Sequence, residues 1–548
     1  MPDTFDAVPA AALRAWTSIV GEAHVVSDPQ SRRDAATATF ATDATIPLIL
    51  RPASRQEVQA CVTVAAEHRV PLYPISGGLN WGYGSRVPAS DRNVILDLGR
   101  LQRIVAFDED LAWVTVEPGV TQQQLYDFLR ARRSRLWMDA TGSSPAASLI
   151  GNTMERGFGH TPYGDHFAHV CALEVVLGDG SCIDTGFARF GDVATAPVYR
   201  WGLGPVIDGL FTQSNFGVVT RMTIWLMPAP AHFEAFFFRC DQEGGLAAVI
   251  DALRPLKLSG TLRSAVHIGN DYKVLNGLQQ YPWAETGGRT PLAPAAMAAY
   301  RERLRMGAWN GSGGLYGTRA QVAEARRLVR AALAGRVANL QFLDDRRLRL
   351  AKRFAGPYRL LTGWDLSAAL ALLEPVYGLM QGVPSSRPLA SAYWRKRTPP
   401  PAQLDPDRDR CGLLWCAPVA PMAGAHAARL TRLSVDTLLT HGFEPMLSLT
   451  LVTDRALTCV VSIHYDRDVD GEDARALACY HALMDALGRA GYYSYRQGIQ
   501  AEAAALPADS AADLLDRLKK ACDPSAILAP GRYGLGSVTL PSQDVSSR

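Results

Sequence analysis

The 548-residue sequence lacks the features that define several large classes of protein. No apolar run approaches the length that spans a bilayer, and the acidic N-terminus has no charged-then-apolar pattern of a signal peptide. An excess of charge of one sign is also missing, because 56 lysines and arginines face 53 aspartates and glutamates. We therefore expect a cytoplasmic protein that binds neither membranes nor nucleic acids.

Cysteine is sparse, and its spacing argues against two further classes. The nine cysteines are scattered and form no C-x-x-C pair, so the sequence gives little support for a zinc site or any other metal site. A disulfide scaffold is not expected in a chain of this length. The length exceeds that of a single ordinary core, and we expect two or three domains.

The most informative segment is rich in glycine. Residues 73–84 read Tyr-Pro-Ile-Ser-Gly-Gly-Leu-Asn-Trp-Gly-Tyr-Gly and continue from a predicted strand over 70–75. In such a loop, backbone N–H groups can close on a diphosphate. The spacing matches neither the Rossmann nor the Walker pattern, and a glycine-rich loop alone is more often a tight turn. The surrounding sequence must therefore decide its role.

The pattern of predicted elements divides the chain near residue 231. Residues 45–228 alternate strands with short helices, one of which begins with a capping pair, Ser54 and Glu57. Residues 231–490 alternate Arg/Ala/Leu-rich helices with isolated strands, which is typical of an α+β domain. A last helix is predicted to begin at a cap over 510–513.

Three further segments accompany the glycine loop. Residues 151–167 combine glycines with more charged and histidine side chains than a structural loop needs, and residues 209–220 lead into a long predicted strand. Residues 523–531 add Asp-Pro-Ser-Ala-Ile-Leu-Ala-Pro-Gly near the C-terminus. With these segments the chain resembles the flavoprotein family of vanillyl-alcohol oxidase and p-cresol methylhydroxylase. The resemblance is most specific over residues 45–228 and looser beyond them.

The resemblance implies an α+β fold, namely the two-domain FAD-binding fold of that family with an α+β cap domain. Residues 1–230 would form the main part of the FAD-binding domain, residues 231–490 the cap, and residues 491–548 a segment that returns to the FAD-binding domain. A homodimer is also implied. The residues that would bind FAD are Ser76, Gly77, Gly78, Leu79, Asn80, Gly151, Asn152, Asp165, Gly217, Val218 and Arg532.

Family members that oxidise para-substituted phenols hold the phenolic oxygen with two tyrosines and an arginine, which the resemblance matches to Tyr83, Tyr495 and Arg496. Hydride leaves a benzylic carbon more easily when the ring oxygen is an anion, because the product is then a neutral quinone methide. A guanidinium and two phenol donors in a dry pocket would stabilise that anion. Taken singly, Tyr83 would be a packed aromatic residue and Arg496 a solvated or ion-paired one.

The sequence departs from the family at the covalent flavin anchor. The histidine that bonds to the flavin in vanillyl-alcohol oxidase corresponds here to Leu413, which cannot form that bond. We therefore expect non-covalent FAD, unless Cys411, Cys416 or Tyr393 takes the place of the histidine.

A second departure concerns the acid–base residue. No carboxylate follows Asp139 where the oxidase has one, and Ser143 or Ser144 lies nearest. His160 replaces a tyrosine that the family often has, and it could take over the acid–base role because histidine titrates near neutral pH. The alternative is that His160 only fills the volume of the tyrosine.

Together these residues predict an FAD-dependent oxidoreductase that takes a hydride from the benzylic carbon of a 4-alkylphenol or 4-hydroxybenzyl alcohol through a quinone methide. Its partners would be a small aromatic substrate and, as electron acceptor, O2 or an electron-carrier protein. One alternative is an oxidase or dehydrogenase of a non-phenolic or carrier-bound alcohol in secondary metabolism. A more remote alternative is a flavin-binding protein without catalytic activity.

Overall fold

The computed structural model describes residues 8–362, 366–501 and 509–536. The first part of the chain contains a four-stranded and a five-stranded sheet. The four-stranded sheet consists of β1 (Val25–Val26), β2 (Ile49–Leu50), β3 (Leu72–Ile75) and β4 (Val94–Asp97), in the order β1-β2-β4-β3. The five-stranded sheet consists of β5 (Ile104–Asp108), β6 (Trp113–Val116), β8 (Val170–Leu177), β9 (Cys182–Asp184) and β10 (Gly217–Trp225), in the order β5-β6-β10-β8-β9. A small pair is formed by β7 (Leu136–Trp137) and β11 (Met227–Pro228).

The middle of the chain forms an eight-stranded sheet. Its strands are β12 (His232–Cys240), β13 (Val266–Asn270), β14 (Trp309–Gly317), β15 (Asn339–Leu343), β16 (Cys411–Cys416), β17 (Val419–Pro421), β18 (Met446–Thr450) and β19 (Ala456–Asp466). They follow the order β15-β12-β14-β13-β18-β19-β16, and β17 pairs with β19.

The helices surround these sheets. In the first part of the chain they are α1 (Ala10–Val20), α2 (Pro29–Ala35), α3 (Arg55–His68), α4 (Gln122–Ala131) and α5 (Leu149–Met154). In the middle they are α6 (Leu246–Leu258), α7 (Asp271–Leu278), α8 (Trp283–Thr286), α9 (Pro294–Leu304), α10 (Arg319–Leu333), α11 (Asp345–Thr362), α12 (Leu366–Leu379), α13 (Gly424–Thr440) and α14 (Glu472–Arg489). The last helix described is α15 (Ser510–Cys522).

The first residues of helices α3 and α15 can be compared with the capping residues predicted from the sequence. Ser54 caps α3 as predicted, since its hydroxyl accepts the N–H of Glu57 at 3.2 Å. The predicted cap of the last helix is wrong by one residue. The carboxylate of Asp509 accepts two N–H groups of the first turn, which makes Ser510 the first helical residue rather than the cap.

The C-terminal segment packs against the first sheet. Leu72 of β3 exchanges backbone hydrogen bonds with Ile527 and Ala529, each at 2.7 Å. The turn that leads there is held by a buried pair, in which the Lys519 ammonium lies 2.6 Å from the Asp523 carboxylate. The boundaries predicted at residues 230 and 490 remain predictions, although this contact is what a returning segment would make.

The two faces of the eight-stranded sheet differ. Along β13, buried Val266 and Ile268 alternate with partly accessible His267 and Gly269. The buried set joins an apolar core with helices α6, α13 and α14. The opposite face, called the inner face below, meets the first part of the chain. It carries His267, Gly269, Leu413, Trp415, Ser448, Thr450, Thr458, Val460, Ser462 and His464.

The described residues contain neither a membrane-spanning helix nor a cluster of metal ligands. No helix in them is long and apolar enough to cross a membrane. No group of three or more histidine, cysteine or acidic side chains in the described ranges could hold a metal ion. All nine cysteines are described, and each is a free thiol.

Candidate functional site

The glycine loop begins where the parallel strands β3 and β4 end. Gly78 has a φ of +64°, and a Cβ there would lie 3.0 Å from the Cβ of Arg86. A Cβ on Gly151 of α5 would lie 2.3 Å from the Ser76 hydroxyl, so the loop and the helix touch at a glycine. A Cβ on Gly77 would meet nothing closer than 3.8 Å. The loop therefore offers open backbone to a bulky anion, as a diphosphate needs.

The other residues predicted to bind the cofactor lie at the start of strand β10, in helix α5 and just before a turn. Gly217 and Val218 open strand β10, and the side-chain oxygen of Asn152 lies 2.6 Å from Nδ1 of His166. Asp165 is exposed, and its carboxylate accepts a backbone N–H of the turn that follows it. Its predicted role in cofactor binding stays a prediction.

The three residues predicted to hold a phenolate lie together. The guanidinium carbon of Arg496 lies 4.5 Å from the centroid of the Tyr83 ring, and Nη2 of Arg496 donates to Asn80 at 2.6 Å. Tyr495 precedes Arg496, with its ring centroid 5.8 Å from that of Phe158. Burial raises the pKa of both tyrosines against the opposing charge of Arg496. Both phenols therefore keep their protons and can donate hydrogen bonds.

Two glycines bring Tyr83 to this place. Gly82 has a φ of +77° and Gly84 a φ of +117°. A Cβ on Gly82 would lie 2.9 Å from the ring of Trp415, and one on Gly84 would lie 2.6 Å from the side chain of Ile499. The glycines on either side of Tyr83 thus serve close packing against β16 and the C-terminal segment.

Glu155 joins the trio to another predicted residue. Its carboxylate lies 3.3 Å from Nε of Arg496 and 2.9 Å from Nη2 of Arg532, and it accepts the hydroxyl of Tyr533 at 2.5 Å. Burial alone would raise the pKa of Glu155, but the two guanidiniums outweigh it and lower the pKa to about 2. Arg532, predicted to bind FAD, makes its contacts in this cluster.

His160 stacks on a histidine of the inner face. Its ring centroid lies 4.3 Å from that of His267, at an interplanar angle of 28°. Nδ1 of His160 lies 3.1 Å from the carbonyl oxygen of Ala140, and Nδ1 of His267 lies 3.1 Å from the Thr450 hydroxyl. Burial lowers the pKa of both histidines. Both rings are therefore neutral at neutral pH.

A buried carboxylate fixes the loop that carries His160. Asp139 accepts the backbone N–H of His160 at 3.2 Å and that of Thr161 at 2.6 Å, and it lies 2.6 Å from Nε2 of His166. Burial would raise the pKa of Asp139, but its hydrogen bonds with His166 and Thr161 lower it. A Cβ on Gly159 would overlap the Asp139 carboxylate, so only glycine fits there.

Leu413 lies on the inner face, directly opposite His464 of β19. It packs in an apolar cluster with Cys411 and Tyr393, whereas Cys416 belongs to the core on the other face. The hydroxyl of Tyr393 donates to Asp409 at 2.5 Å. Cys411 and Tyr393, but not Cys416, therefore share the surroundings of Leu413.

Comparisons with known proteins place these features in a family. A family model described as an FAD binding domain matches residues 46–186. The chain is 48% identical over 525 residues to the 1'-carboxy-chondrochloren decarboxylase of Chondromyces crocatus, with 95% of this chain and 96% of that protein covered. It is 32% identical over 484 residues to the 4-cresol dehydrogenase (hydroxylating) flavoprotein subunit of Pseudomonas putida, with 88% and 86% covered.

The structure agrees with the sequence relationship. It matches the crystal structure of p-cresol methylhydroxylase with substrate bound at a TM-score of 0.86 and 28% identity, with 98% of each chain covered. The chain belongs to the vanillyl-alcohol oxidase and p-cresol methylhydroxylase family. It is an FAD-dependent oxidoreductase, and the predicted fold class is confirmed.

FAD is the cofactor of this flavoenzyme, and the residues present fit it. The open backbone at Gly77 and the left-handed Gly78 suit a pyrophosphate, and Gly151 lets α5 approach the same loop. The predicted cofactor is thus confirmed, while covalent attachment is a separate question.

Three residues of the candidate site have no role assigned from the sequence alone. Glu155 lies in the polar segment over 151–167, and Tyr533 follows Arg532, which is predicted to bind FAD. A weak signal for both residues is therefore present in the sequence. His267 had none, because it is one polar residue in an otherwise ordinary strand. Its contact with His160 joins positions that are 107 residues apart in the sequence, as the two residue numbers show.

Proposed function

We propose that this flavoenzyme takes a hydride from the benzylic carbon of a para-substituted phenol, of the 4-alkylphenol or 4-hydroxybenzyl alcohol type, through a quinone methide. The observation that carries the proposal is the convergence of Tyr83, Tyr495 and Arg496. The relatives named for 4-cresol and p-cresol support a phenolic substrate.

The charge of the cluster favours an anion. Arg496 and Arg532 share one carboxylate, that of Glu155, which is ionised at neutral pH because its pKa is about 2. One positive charge therefore remains uncompensated beside two phenol donors. In an enclosed site, each donor aimed at a developing oxyanion is worth about 3 kcal/mol in the transition state.

The protein's own groups have two tasks in this reaction, while bound FAD supplies the hydride acceptor. Tyr83, Tyr495 and Arg496 hold the phenolic oxygen as an anion while the benzylic C–H bond breaks. They then hold the carbonyl oxygen of the quinone methide. Because Tyr83, Tyr495 and Arg496 are enclosed, water does not weaken their hydrogen bonds to the substrate oxygen.

His160 is the proposed acid–base residue. Its Nδ1 donates to the carbonyl of Ala140, which leaves the lone pair of Nε2 free to take a proton. That proton comes from water when water adds to the quinone methide. When an alkene or aldehyde forms instead, the proton comes from the substituent of the quinone methide itself. The lowered pKa of His160 keeps the ring in the neutral form that this step needs.

We also propose non-covalent FAD, because the resemblance aligns Leu413 with the histidine that bonds to the flavin in vanillyl-alcohol oxidase, and leucine cannot form that bond. Acid precipitation should leave the yellow colour in the supernatant. A yellow pellet would contradict the proposal, and loss of that pellet colour in Tyr393→Phe but not in Cys411→Ser would then identify the bonded residue.

Three further features are proposed on the resemblance. The electron acceptor is O2 or an electron-carrier protein, and the enzyme is a homodimer. Residues 1–230 and 491–548 form the FAD-binding domain, and residues 231–490 form the cap. Stopped-flow reoxidation and sedimentation would test the first two.

A second candidate follows from the relative that is named a decarboxylase. The same hydride loss from a phenol with a carboxylate on the carbon next to the benzylic carbon gives a quinone methide that can lose CO2. The bond to the carboxyl carbon breaks, its electron pair forms an alkene, and the ring oxygen becomes a phenolate again. This route needs neither water nor a base, which agrees with the missing carboxylate after Asp139.

An anaerobic screen tests the proposed reaction. The enzyme is mixed with 4-alkylphenols, 4-hydroxybenzyl alcohols and aliphatic alcohols, and bleaching of the flavin band is followed. We expect phenols alone to bleach it, and Tyr495→Phe to lower the rate about 100-fold because one oxyanion donor is lost. Tyr493→Phe is the matched control, because Tyr493 is 67% exposed.

Other outcomes would contradict the proposal. Bleaching by aliphatic alcohols with no effect of Tyr495→Phe would favour the non-phenolic alternative. A yellow protein that no compound bleaches would favour the flavin-binding protein without activity.

A further inference from the structure

The glycine loop contains no basic residue of its own. Residues 73–84 include neither lysine nor arginine, although each phosphate of a diphosphate is ionised at neutral pH. Backbone N–H groups can close on such an anion, but they carry only partial charges. A guanidinium adds a full positive charge and matches the geometry of phosphate oxygens. The first basic residue after the loop is Arg86.

The chain folds back so that Arg86 lies against the loop. The N–H groups of Tyr83 and Ser85 both donate to the carbonyl oxygen of Asn80, at 3.1 and 3.0 Å, and close a turn. A Cβ on Gly78 would lie 3.0 Å from Cβ of Arg86 and 3.3 Å from its Nε. At standard bond lengths, Nε of Arg86 is then within about 6 Å of the backbone nitrogen of Gly78. An anion bound to that N–H is therefore within reach of the guanidinium.

The guanidinium of Arg86 has no partner among the residues that the structure describes. Its Nε is buried without a hydrogen bond, and its other nitrogens form neither a hydrogen bond nor an ion pair with any described residue. Buried polar groups in folded proteins are nearly always paired. Arg51, which follows the parallel strand β2 at the same end of the sheet, has such a pair, because its Nε lies 3.2 Å from the Asp97 carboxylate. The Arg86 guanidinium is therefore available to a ligand.

The acid whose charge interacts with Arg86 is Asp407, and it compensates that arginine only in part. One carboxylate oxygen of Asp407 accepts the Ser85 hydroxyl at 2.7 Å, and the other is buried without a partner. Burial raises the pKa of Asp407 to about 7, although the Ser85 hydrogen bond and the charge of Arg86 act in the opposite direction. A large share of Asp407 is therefore protonated at neutral pH, and positive charge remains on Arg86 beside the loop.

We propose that Arg86 binds the diphosphate of FAD, together with the open backbone of residues 76–80. Gly78 then contributes to the site in two ways. Its left-handed backbone shapes the loop, and its missing side chain leaves room for the stem of Arg86. The inference rests on the placement of the diphosphate at the loop and not on the proposed reaction, because Arg86 contacts neither the flavin ring nor a phenol in this scheme.

Two compounds that differ only in a diphosphate test the role of Arg86. The probes are ADP and adenosine, each added to the full-length protein after removal of FAD, and the readout is the calorimetric Kd. In Arg86→Met we expect ADP to bind about 10- to 100-fold more weakly, because a charged hydrogen bond is lost, and adenosine to bind as it does to the wild type. Arg86→Lys should retain most of the ADP affinity, since it keeps the positive charge.

The FAD-loaded enzyme gives a second readout that is independent of activity. Phosphorus NMR records the resonances of the bound diphosphate, whether or not the flavin is bonded to the protein. We expect Arg86→Met to shift these resonances. Arg55→Met is the matched control and should leave them unchanged, because the Arg55 side chain is 34% exposed and pairs with Glu174. If Arg86→Met does not fold, Arg86→Gln takes its place in both measurements.

Gly77→Ala distinguishes the role of Arg86 from the placement of the diphosphate. A Cβ on Gly77 meets no protein atom closer than 3.8 Å, so the variant should fold, but its methyl group enters the space left for the anion. Weaker ADP binding in both Gly77→Ala and Arg86→Met supports the proposal. Weaker binding in Gly77→Ala alone overturns the role of Arg86 and leaves the diphosphate at the loop. If neither variant affects ADP binding, both assignments are wrong, and the phenol screen still decides the proposed reaction.

Discussion

At the scale of single residues, the site depends on a carboxylate shared by two arginines. Glu155 accepts from Arg532 and Tyr533 and lies against Arg496, with only 22% of its side chain exposed. A buried ion pair costs desolvation when it forms, but loss of one partner leaves an uncompensated charge. Glu155 therefore positions Arg496 and Arg532, and its negative charge compensates one of their two positive charges.

We predict that Glu155→Gln destabilises the protein by about 3 kcal/mol, because two enclosed guanidiniums lose their counter-charge. Urea unfolding at neutral pH measures the change. Glu324→Gln is the matched control, since Glu324 is 55% exposed and pairs with Arg327 on the surface of α10. Equal stability of the two variants would show that the buried pair contributes nothing.

The pH dependence of stability has a definite sign at Glu155. Its pKa falls from the ordinary 4.5 to about 2 on folding, so its contribution is fully present above 4.5 and is lost as the pH falls towards 2. We expect the wild-type free energy of unfolding to fall more steeply than that of Glu155→Gln over this window. Parallel curves for the two proteins would contradict the assignment.

At the scale of elements, the two parts of the glycine loop have different structural roles. The part over 76–80 leaves its backbone open at Gly77, as the proposed pyrophosphate site requires, and the part around Tyr83 packs between β16 and the C-terminal segment. Backbone hydrogen bonds hold that second part, because the carbonyl of Gly82 accepts the N–H of Trp415 at 3.1 Å and that of Tyr83 accepts the N–H of Ile499 at 3.0 Å.

We predict that Gly82→Ala lowers the midpoint of thermal unfolding and the rate of flavin reduction together. Its Cβ would meet the Trp415 ring at 2.9 Å while the backbone keeps a φ of +77°. Gly21→Ala is the matched control, because Gly21 has a φ of +83° but nothing within 4 Å of the added Cβ. If both variants behave alike, backbone strain alone explains the loss, and the contact with Trp415 does not matter.

Element boundaries were predictable where the signal was local. Ser54 caps α3 through a hydrogen bond to a residue three positions away, and such a pattern is visible in the sequence. The cap of α15 was misplaced because Asp509 and Ser510 are both good capping residues, and only the backbone geometry at Asp509 selects one of them.

At the scale of the whole molecule, the site is assembled from distant segments. Tyr83 belongs to the loop after β3, Glu155 follows α5, and Arg496 and Arg532 come from the C-terminal part of the chain. Glu155 and Arg532 are 377 positions apart. The buried pair of Lys519 and Asp523 holds the turn that brings this last segment back to β3.

The amino-acid sequence alone was enough to indicate the family, the FAD cofactor and the α+β fold, because glycine loops and capping pairs are short-range patterns. It also pointed to Tyr83, Tyr495 and Arg496, which the structure brings together. It could not show that Glu155 joins Arg496 to Arg532, or that His160 stacks on His267. Those contacts depend on strand register and on side chains far apart in the chain, and only the tertiary structure decides them.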